Sequence, residues 1–309
     1  MERWDKNFKR NLILILVTAF WGSLALGVWQ FFKISDKRLH LVFCDVGQGD
    51  AIYLKTPQNF EVLIDGGPDE KVLDCLSSRR PFWDRKIDLL ILTHPEADHL
   101  TGLLAVLERY QVDYLITENI FNPSAVFARF QKAVQEENLQ IFSPKAGDRI
   151  KLGETEIRFF WPQAVIGEPS LWVDKNPPAA GETKFGESSN DYSLVFNLQY
   201  KNFSALQTGD AESSILAKTK SDLPQIAVLK VPHHGSKKAL DKEILQIVKP
   251  QLAVISVGKK NRFGHPTGET LKILRDLDIK TLRTDQDGEI EIVSDGQSWG
   301  AKLTASYDN

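Results

Sequence analysis

The 309-residue sequence has little of what would place it in several broad classes. It carries two cysteines, Cys44 and Cys75, neither of them in a C-x-x-C pair. That excludes a disulfide-dense scaffold, and the expectation for the pair is two packed thiols. Basic charge is not in excess: 38 Lys and Arg against 41 Asp and Glu leave a formal net charge of -3. A nucleic-acid partner would therefore have to meet a local basic patch rather than a globally basic protein. No unit of about 20–50 residues repeats, which argues against a solenoid or propeller. The apolar N-terminal segment is followed by neither an A-x-A cleavage pattern nor a lipobox cysteine.

What is present divides the chain. Residues 1–11 form a polar segment containing Arg3, Lys6, Lys9 and Arg10, and Leu12 to Phe32 is an uncharged run, LILILVTAFWGSLALGVWQFF. As a helix, this run would span about 30 Å at 1.5 Å per residue, enough for a bilayer core. Trp21, Trp29, Phe31 and Phe32 suit an interfacial position. A retained transmembrane anchor fits the length better than a cleaved signal or a buried soluble helix, and residues 33–38 then read as a linker. Lys33, Lys37 and Arg38 on the far side nearly balance the leading basic residues. The bias is therefore weak, towards an inside N-terminus and an extracytoplasmic domain.

From Leu39 the pattern becomes that of a folded α/β domain, and 42% hydrophobic residues can fill a sizeable core. LHLVFCDV, AIYLKT, FEVLIDGG and IDLLILT read as strands, followed by YLIT. KVLDCLSS and TGLLAVLERY read as helices, the latter beginning at Leu100. SAVFARFQKAVQEEN sets Val126, Phe127, Phe130 and Val134 on one helical face. The second half repeats the style with EIRFFW, SLVFNLQY, FSALQTGD, IAVLKV and LAVISVG as strands. TLRT, GEIEIV and GAKLTA would complete a sheet. Strand groups with helices in both halves predict two packed sheets with helices outside. Between Gln163 and Asn190 the composition predicts a long irregular loop of the kind that forms lids.

Five of the six histidines fall in three short clusters, each directly after a predicted buried strand. The first is His94-Pro95-Glu96-Ala97-Asp98-His99. A strand-to-helix turn of this kind can aim several imidazole and carboxylate donors at one point, suiting Zn²⁺, Mn²⁺ or Fe. A bland reading, with Asp98 capping the helix, accounts for only one of these residues. Thr208-Gly209-Asp210 ends FSALQ and is weak alone, but Asp210 could bridge two ions if it faces the first cluster. Val231-Pro232-His233-His234-Gly235-Ser236 and Gly264-His265-Pro266 close two further strands. Lys237, Lys238, Lys259, Lys260 and Arg262 follow these motifs and read either as a basic rim for phosphates or as solvated surface.

The ordered series H-x-E-x-D-H, T-G-D, P-H-H-G-S and G-H-P resembles the metallo-β-lactamase superfamily, and more narrowly the hydrolase domain of ComEC-type competence proteins. Asp45 to Ala51, Leu63 to Gly67 and Asn190-Asp191-Tyr192-Ser193 belong to the same resemblance. It spans Leu39 to about Ala305 and assigns residues 39–309 to one hydrolase domain. Glu96 stands where most of the superfamily has histidine, as is usual in the ComEC-like branch. The multi-helix channel of full competence proteins is not in this sequence.

The resemblance implies an αββα sandwich holding two divalent ions, Zn or Mn. His94, Glu96, Asp98, His99, Asp210, His233 and His265 would be their ligands. Asp98 and His234 would serve catalysis, with the roles of His233 and His234 exchangeable. Asp45 and Asp65 would support the ligands from behind, and Asn190, Ser193, Ser236 and Lys237 would meet substrate. The implied activity is phosphodiester hydrolysis of single-stranded DNA in competence-type uptake, beside a separately encoded channel or alone. Hydrolysis of cell-wall phosphodiesters, lactones or β-lactams remains open, as does a non-enzymatic module that binds DNA or a channel.

Overall fold

The parallel strands of two sheets end at one edge, and that edge collects the motifs. The computed structural model describes residues 6–34, 36–81, 83–118, 120, 122–163 and 189–304. The loop expected between Gln163 and Asn190 falls on 164–188, outside the described residues, as do the side chains of Trp29, Phe31 and Phe32.

Helix α1 (Lys6–Ile34) contains the uncharged run and begins earlier, within the basic segment. It is long and apolar enough to cross a membrane. Residues 7–26, including Phe8, Leu16 and Trp21, are exposed along it. Uncharged on every side from Leu12 to Gly27, it has no charged stripe there that would favour lying half-buried on a soluble domain.

Strands β1 (Leu39–Phe43), β2 (Ile52–Lys55) and β3 (Glu61–Ile64) form an antiparallel meander. After helix α2 (Val72–Arg79), strand β4 (Lys86–Leu92) lies parallel to β3. Helix α3 (Ala97–Arg109), strand β5 (Gln111–Thr117), helix α4 (Ala125–Glu136) and strand β6 (Gln140–Phe142) extend the parallel half. The second sheet begins with the antiparallel strands β7 (Arg149–Leu152), β8 (Thr155–Trp161), β9 (Val195–Tyr200) and β10 (Phe203–Gln207). Helix α5 (Ser213–Thr219) leads to β11 (Val228–Lys230), helix α6 (Lys242–Val248) to β12 (Leu252–Ile255), and helix α7 (Gly268–Asp276) to β13 (Lys280–Arg283). Strands β10 to β13 run parallel.

Strands β14 (Glu289–Ser294) and β15 (Trp299–Thr304) then return to the first sheet, where β14 pairs with β1. The three last strands expected to complete one sheet are thus divided: β13 closes the second sheet and β14–β15 close the first. One core lies between the sheets, around Phe43, Phe159 and Phe196. A second lies under α2–α4, around Leu103, Phe127 and Phe130, and a third under α5–α7, around Leu216, Leu245 and Leu274. This is the αββα sandwich, with helix layers outside two apolar sheets.

Two expectations need correction. Cys44 and Cys75 are disulfide-bonded rather than packed as free thiols, with Cα atoms 5.9 Å apart. Cys44 follows β1 and Cys75 lies on α2, so packing of α2 on the sheet joins positions separated by 31 residues. Helix α3 starts at Ala97, not Leu100, with Glu96 at its N-cap. Asp98 therefore sits inside the first turn and does not cap the helix, and His99 is carried on the buried face.

Candidate metal centre

Strands β3, β4, β10, β11 and β12 deliver Asp65, His94, Asp210, the His233–His234 pair and His265 in turn. Close backbone contacts hold these strand-end turns together. The N–H of Gly67 donates to Asp50 O at 2.8 Å, Gly102 N–H to Gly67 O at 3.0 Å, and Leu194 N–H to Thr93 O at 3.0 Å. A Cβ on Gly102 would strike the carbonyl of Gly66, so a glycine there lets α3 seat against the turn that carries Asp65.

Three fully buried imidazoles share one polarity. His99 donates its Nδ1–H to Asp65 Oδ2 at 2.8 Å. His94 donates Nδ1–H to Thr93 Oγ1 at 3.1 Å, and that hydroxyl donates onward to Asp65 Oδ2 at 2.7 Å. His234 donates Nδ1–H to Ser256 O at 2.9 Å. Each ring is thus held from behind, and the Nε2 atoms of all three are buried without a hydrogen-bond partner. They converge on Asp210, whose Oδ2 lies 3.9 Å from His94 Nε2, 3.5 Å from His99 Nε2 and 3.6 Å from His234 Nε2. Asp98 Oδ2 lies 3.4 Å from His234 Nε2.

The donor set fits a divalent cation. His94, His99 and Asp210 form one group whose ligand atoms lie within 4.8 Å of one another, and Asp98, His99 and His234 form a second. Two donors sharing a Zn ion at about 2.0–2.2 Å stand roughly 3–3.5 Å apart, close to the spacings seen here. A buried polar atom left unpaired costs about 1–3 kcal/mol. Three such nitrogens facing one carboxylate make sense as lone pairs kept for a metal. The groupings that include Asp50 or Asp65 are weaker candidates, because those carboxylates already have partners on this chain.

Charge beneath the cluster is balanced by a residue the motifs did not single out. Lys230, on β11, is buried and donates to Gly209 O at 2.7 Å. It also pairs with Asp50 and lies 3.5 Å from Asp210 Oδ1. Burial pulls the Lys230 pKa down, but Asp50 and Asp210 outweigh it and hold the ammonium above its usual value. Burial, with His99 beside it, keeps His94 well below the usual histidine range. The carboxylates around His99 (Asp210, Asp65) and His234 (Asp210, Asp98) instead outweigh burial and hold those rings above it, so a bound cation would take the place of their protons. Burial would raise Asp210, yet His234 and His99 hold it well below the usual carboxylate range. Strand β11 reads simply as apolar, so only the buried lysine within IAVLKV could have drawn attention in the sequence.

The other expected residues divide by position. His233 is partly exposed, with its Nδ1–H donating to Glu212 Oε1 at 3.0 Å and its Nε2 4.0 Å from Asp210 Oδ2. His234, not His233, enters the buried donor groups, because the left-handed backbone at both residues (φ 46° and 51°) turns the second ring inward. Asn190 donates to His233 Nε2 at 3.4 Å. Ser193 is fully buried and accepts from the Asp210 N–H at 3.1 Å, so it shapes the Asp210 turn and is shielded from substrate. Ser236 donates to Glu212 Oε1 at 2.8 Å and thereby steadies the partner of His233. Lys237 is exposed and pairs with Glu269 at 3.2 Å.

Glu96 is half-buried, accepts from the Ser189 hydroxyl, and lies outside the donor groups found among the described residues. His265 lies outside them as well; its Nδ1 is buried without a partner and its ring meets that of His233 at 5.5 Å. Asp45 is half-buried in the turn after β1, and Asp50, not Asp45, is the carboxylate beneath the site. Asp65 lies behind the histidines, accepting from His99 Nδ1–H and from the Thr93 hydroxyl.

Comparison with known proteins agrees with this geometry. Residues 44–259 match the model of the metallo-beta-lactamase superfamily. The chain is 31% identical over 304 residues to ComE operon protein 3 of Bacillus subtilis, covering 92% of this chain and 36% of that protein. It is 34% identical over 278 residues to competence protein ComA of Neisseria gonorrhoeae, covering 88% of this chain and 35% of that one. It thus spans about a third of the length of these relatives. Zn²⁺-bound PqqB from Methylobacterium extorquens shares the fold, with a TM-score of 0.51, 10% identity, and coverage of 79% of this chain and 97% of that one. On its fold, its strand-end site and its family match, the chain belongs to the metallo-β-lactamase superfamily.

Proposed function

We propose that this chain is a membrane-anchored, metal-dependent phosphodiesterase that cuts single-stranded DNA during competence-type uptake. The observation that carries the hydrolase part is the inward convergence of three unpartnered Nε2 atoms on Asp210. The DNA part rests on likeness to two competence proteins. His94, His99, His234, Asp98 and Asp210 would hold two divalent ions, Zn²⁺ or Mn²⁺, with His233, His265 and Glu96 at the rim of the shell. When bound, such ions supply Lewis acidity, polarising a phosphoryl oxygen and acidifying water.

The chain's own residues do the rest. Asp65 fixes His99 directly and His94 through Thr93, so neither ring must reorganise during the reaction. Asp210 and Lys230 balance charge in a buried place where unpaired charge is costly. Asp98 has a partly exposed side chain, and its carboxyl is held below the usual range despite burial by the adjacent His234 and His99. It is therefore ionised and placed to orient the attacking water as a hydrogen-bond acceptor, its depressed pKa making it a weak base.

The anchor reading draws on the exposed surface of α1, uncharged from Leu12 to Gly27. An extracytoplasmic domain is supported by the Cys44–Cys75 disulfide, since such bonds persist in oxidising compartments.

The test is substrate profiling of the full chain in detergent with Mn²⁺, Zn²⁺ and Mg²⁺ supplied in turn. Single-stranded DNA should be cut with Mn²⁺ or Zn²⁺ and spared after chelation. Turnover of a lactone, a β-lactam or a cell-wall phosphodiester in preference to DNA would overturn the assignment, and absence of all turnover would favour a binding module.

A further inference from the structure

The loop from β12 to α7 passes the rim of the centre and exposes a large aromatic ring. Phe263 is 67% exposed, the highest value among the described large hydrophobic residues. A solvated phenyl ring on a surface loop gains nothing for the fold, yet this one is held in place. Its ring stacks on His265, with centroids 5.8 Å apart and planes 28° from parallel. His265 in turn meets His233 edge-on at 5.5 Å. The stack therefore leads from open solvent to a ring whose Nε2 is 4.0 Å from Asp210.

The loop's conformation is fixed from within. Asn261 Nδ2 donates to Gly258 O at 3.0 Å and to His265 O at 2.8 Å, while its Oδ1 accepts from the His265 N–H at 3.0 Å. Gly264, at φ +71°, supplies the left-handed step that sets Phe263 and His265 face to face. Exposed Lys260 and Arg262 precede the ring in sequence. A pre-set aromatic face beside cationic side chains is the arrangement that binds single strands, since every base has a face to stack and every nucleotide a phosphate.

We propose that Phe263, backed by His265, is a stacking platform for one base of a single-stranded nucleic acid, seating the neighbouring phosphodiester over the metal centre. This rests on the reading of the chain as a phosphodiesterase of single-stranded DNA and adds how the strand is held. It implies that the enzyme reads the presence of bases, not their identity, because stacking on a phenyl ring is tolerant of sequence.

The test compares binding of a fluorescent single-stranded oligonucleotide and an abasic oligonucleotide of the same length to the full chain in detergent. Anisotropy is measured without added metal, and cleavage of both strands is followed separately with Mn²⁺. The wild type should bind the base-bearing strand more tightly than the abasic one. Phe263→Ala should remove that preference, a loss of roughly 5- to 150-fold (~1–3 kcal/mol). Phe263→Trp should retain it. Equal binding of both strands by the wild type, or a preference that survives Phe263→Ala, overturns the platform. If the base preference follows Phe263 but neither strand is cut with any metal, the platform stands and the phosphodiesterase reading fails instead.

Discussion

The floor and the rim of the metal centre are built on different plans. On the floor, His94, His99 and His234 are buried and each has its outer nitrogen tied to a group behind it, either the Thr93–Asp65 pair or the Ser256 carbonyl. Lys230 closes the floor from below. On the rim, Glu96, His233 and His265 are only partly buried, and Phe263 stands in solvent. The floor is over-determined: each donor's direction is fixed by a partner that is itself fixed. The rim is fixed locally, by Ser189, Glu212 and Asn261, and faces whatever approaches. The contrast suggests that substitutions on the floor remove the chemistry or the fold, whereas those on the rim change which metal or substrate is preferred.

The largest effect is expected at Asp210. Asp210→Ala removes the carboxylate on which the Nε2 atoms converge, and turnover should fall on the order of 10³-fold or more with at least one ion lost per chain. Metal analysis and kinetics on the same sample check this. Retention of normal metal content would make Asp210 a turn residue and break the floor's central feature.

Lys230→Met should act on the fold. It leaves Asp50 buried without its cation, and breaking a buried pair costs about 3–5 kcal/mol. Denaturant unfolding should show that loss, and adding Asp50→Asn should recover much of it. If the double variant is no better than the single one, the lysine's role is not charge balance.

How much of this was legible in the sequence follows the same division. The dense donor pattern after β4 pointed to His94 and His99, while Asp210, weak alone, gained weight only from its place at a strand end facing that cluster. Strand-end placement then brought them together. Asp65 entered only through the family resemblance. Lys230 and Glu212 were not legible, since a lysine in a strand and a glutamate at a helix start have ordinary surface readings. The exchange of His233 and His234 depends on two left-handed residues that no composition rule foretells. The disulfide and the split of β13 from β14 were hidden for a similar reason. Both depend on which distant segments pack together, and local periodicity does not contain that information.

On the rim, Glu96→His exchanges a hard anionic oxygen for a nitrogen donor. It should shift the preferred metal from Mn²⁺ towards Zn²⁺ while costing total activity on the order of 10- to 100-fold, the range expected for ligand surroundings. An unchanged metal profile would confine Glu96 to its contact with Ser189.

The smallest effect lies away from the centre, at the junction of β1 and β14. Burial would raise Glu291, but His40 and Arg79 outweigh it and hold its carboxyl at about 2, against an ordinary 4.5. A carboxylate whose folded pKa is depressed stabilises the fold above its unfolded value and loses that contribution as pH falls through the folded one. Melting temperature should therefore decline between about pH 4.5 and 2, and Glu291→Gln should flatten that part of the curve.

The account turns on the inward-facing nitrogens, and ring ¹⁵N spectra of histidine-labelled protein test them most directly. On addition of Zn²⁺, the Nε2 resonances of His94, His99 and His234 should move together, with protons retained on Nδ1 by Thr93, Asp65 and Ser256. Nε2 resonances that keep a proton or do not respond to Zn²⁺ would contradict the assignment of this floor as a metal centre.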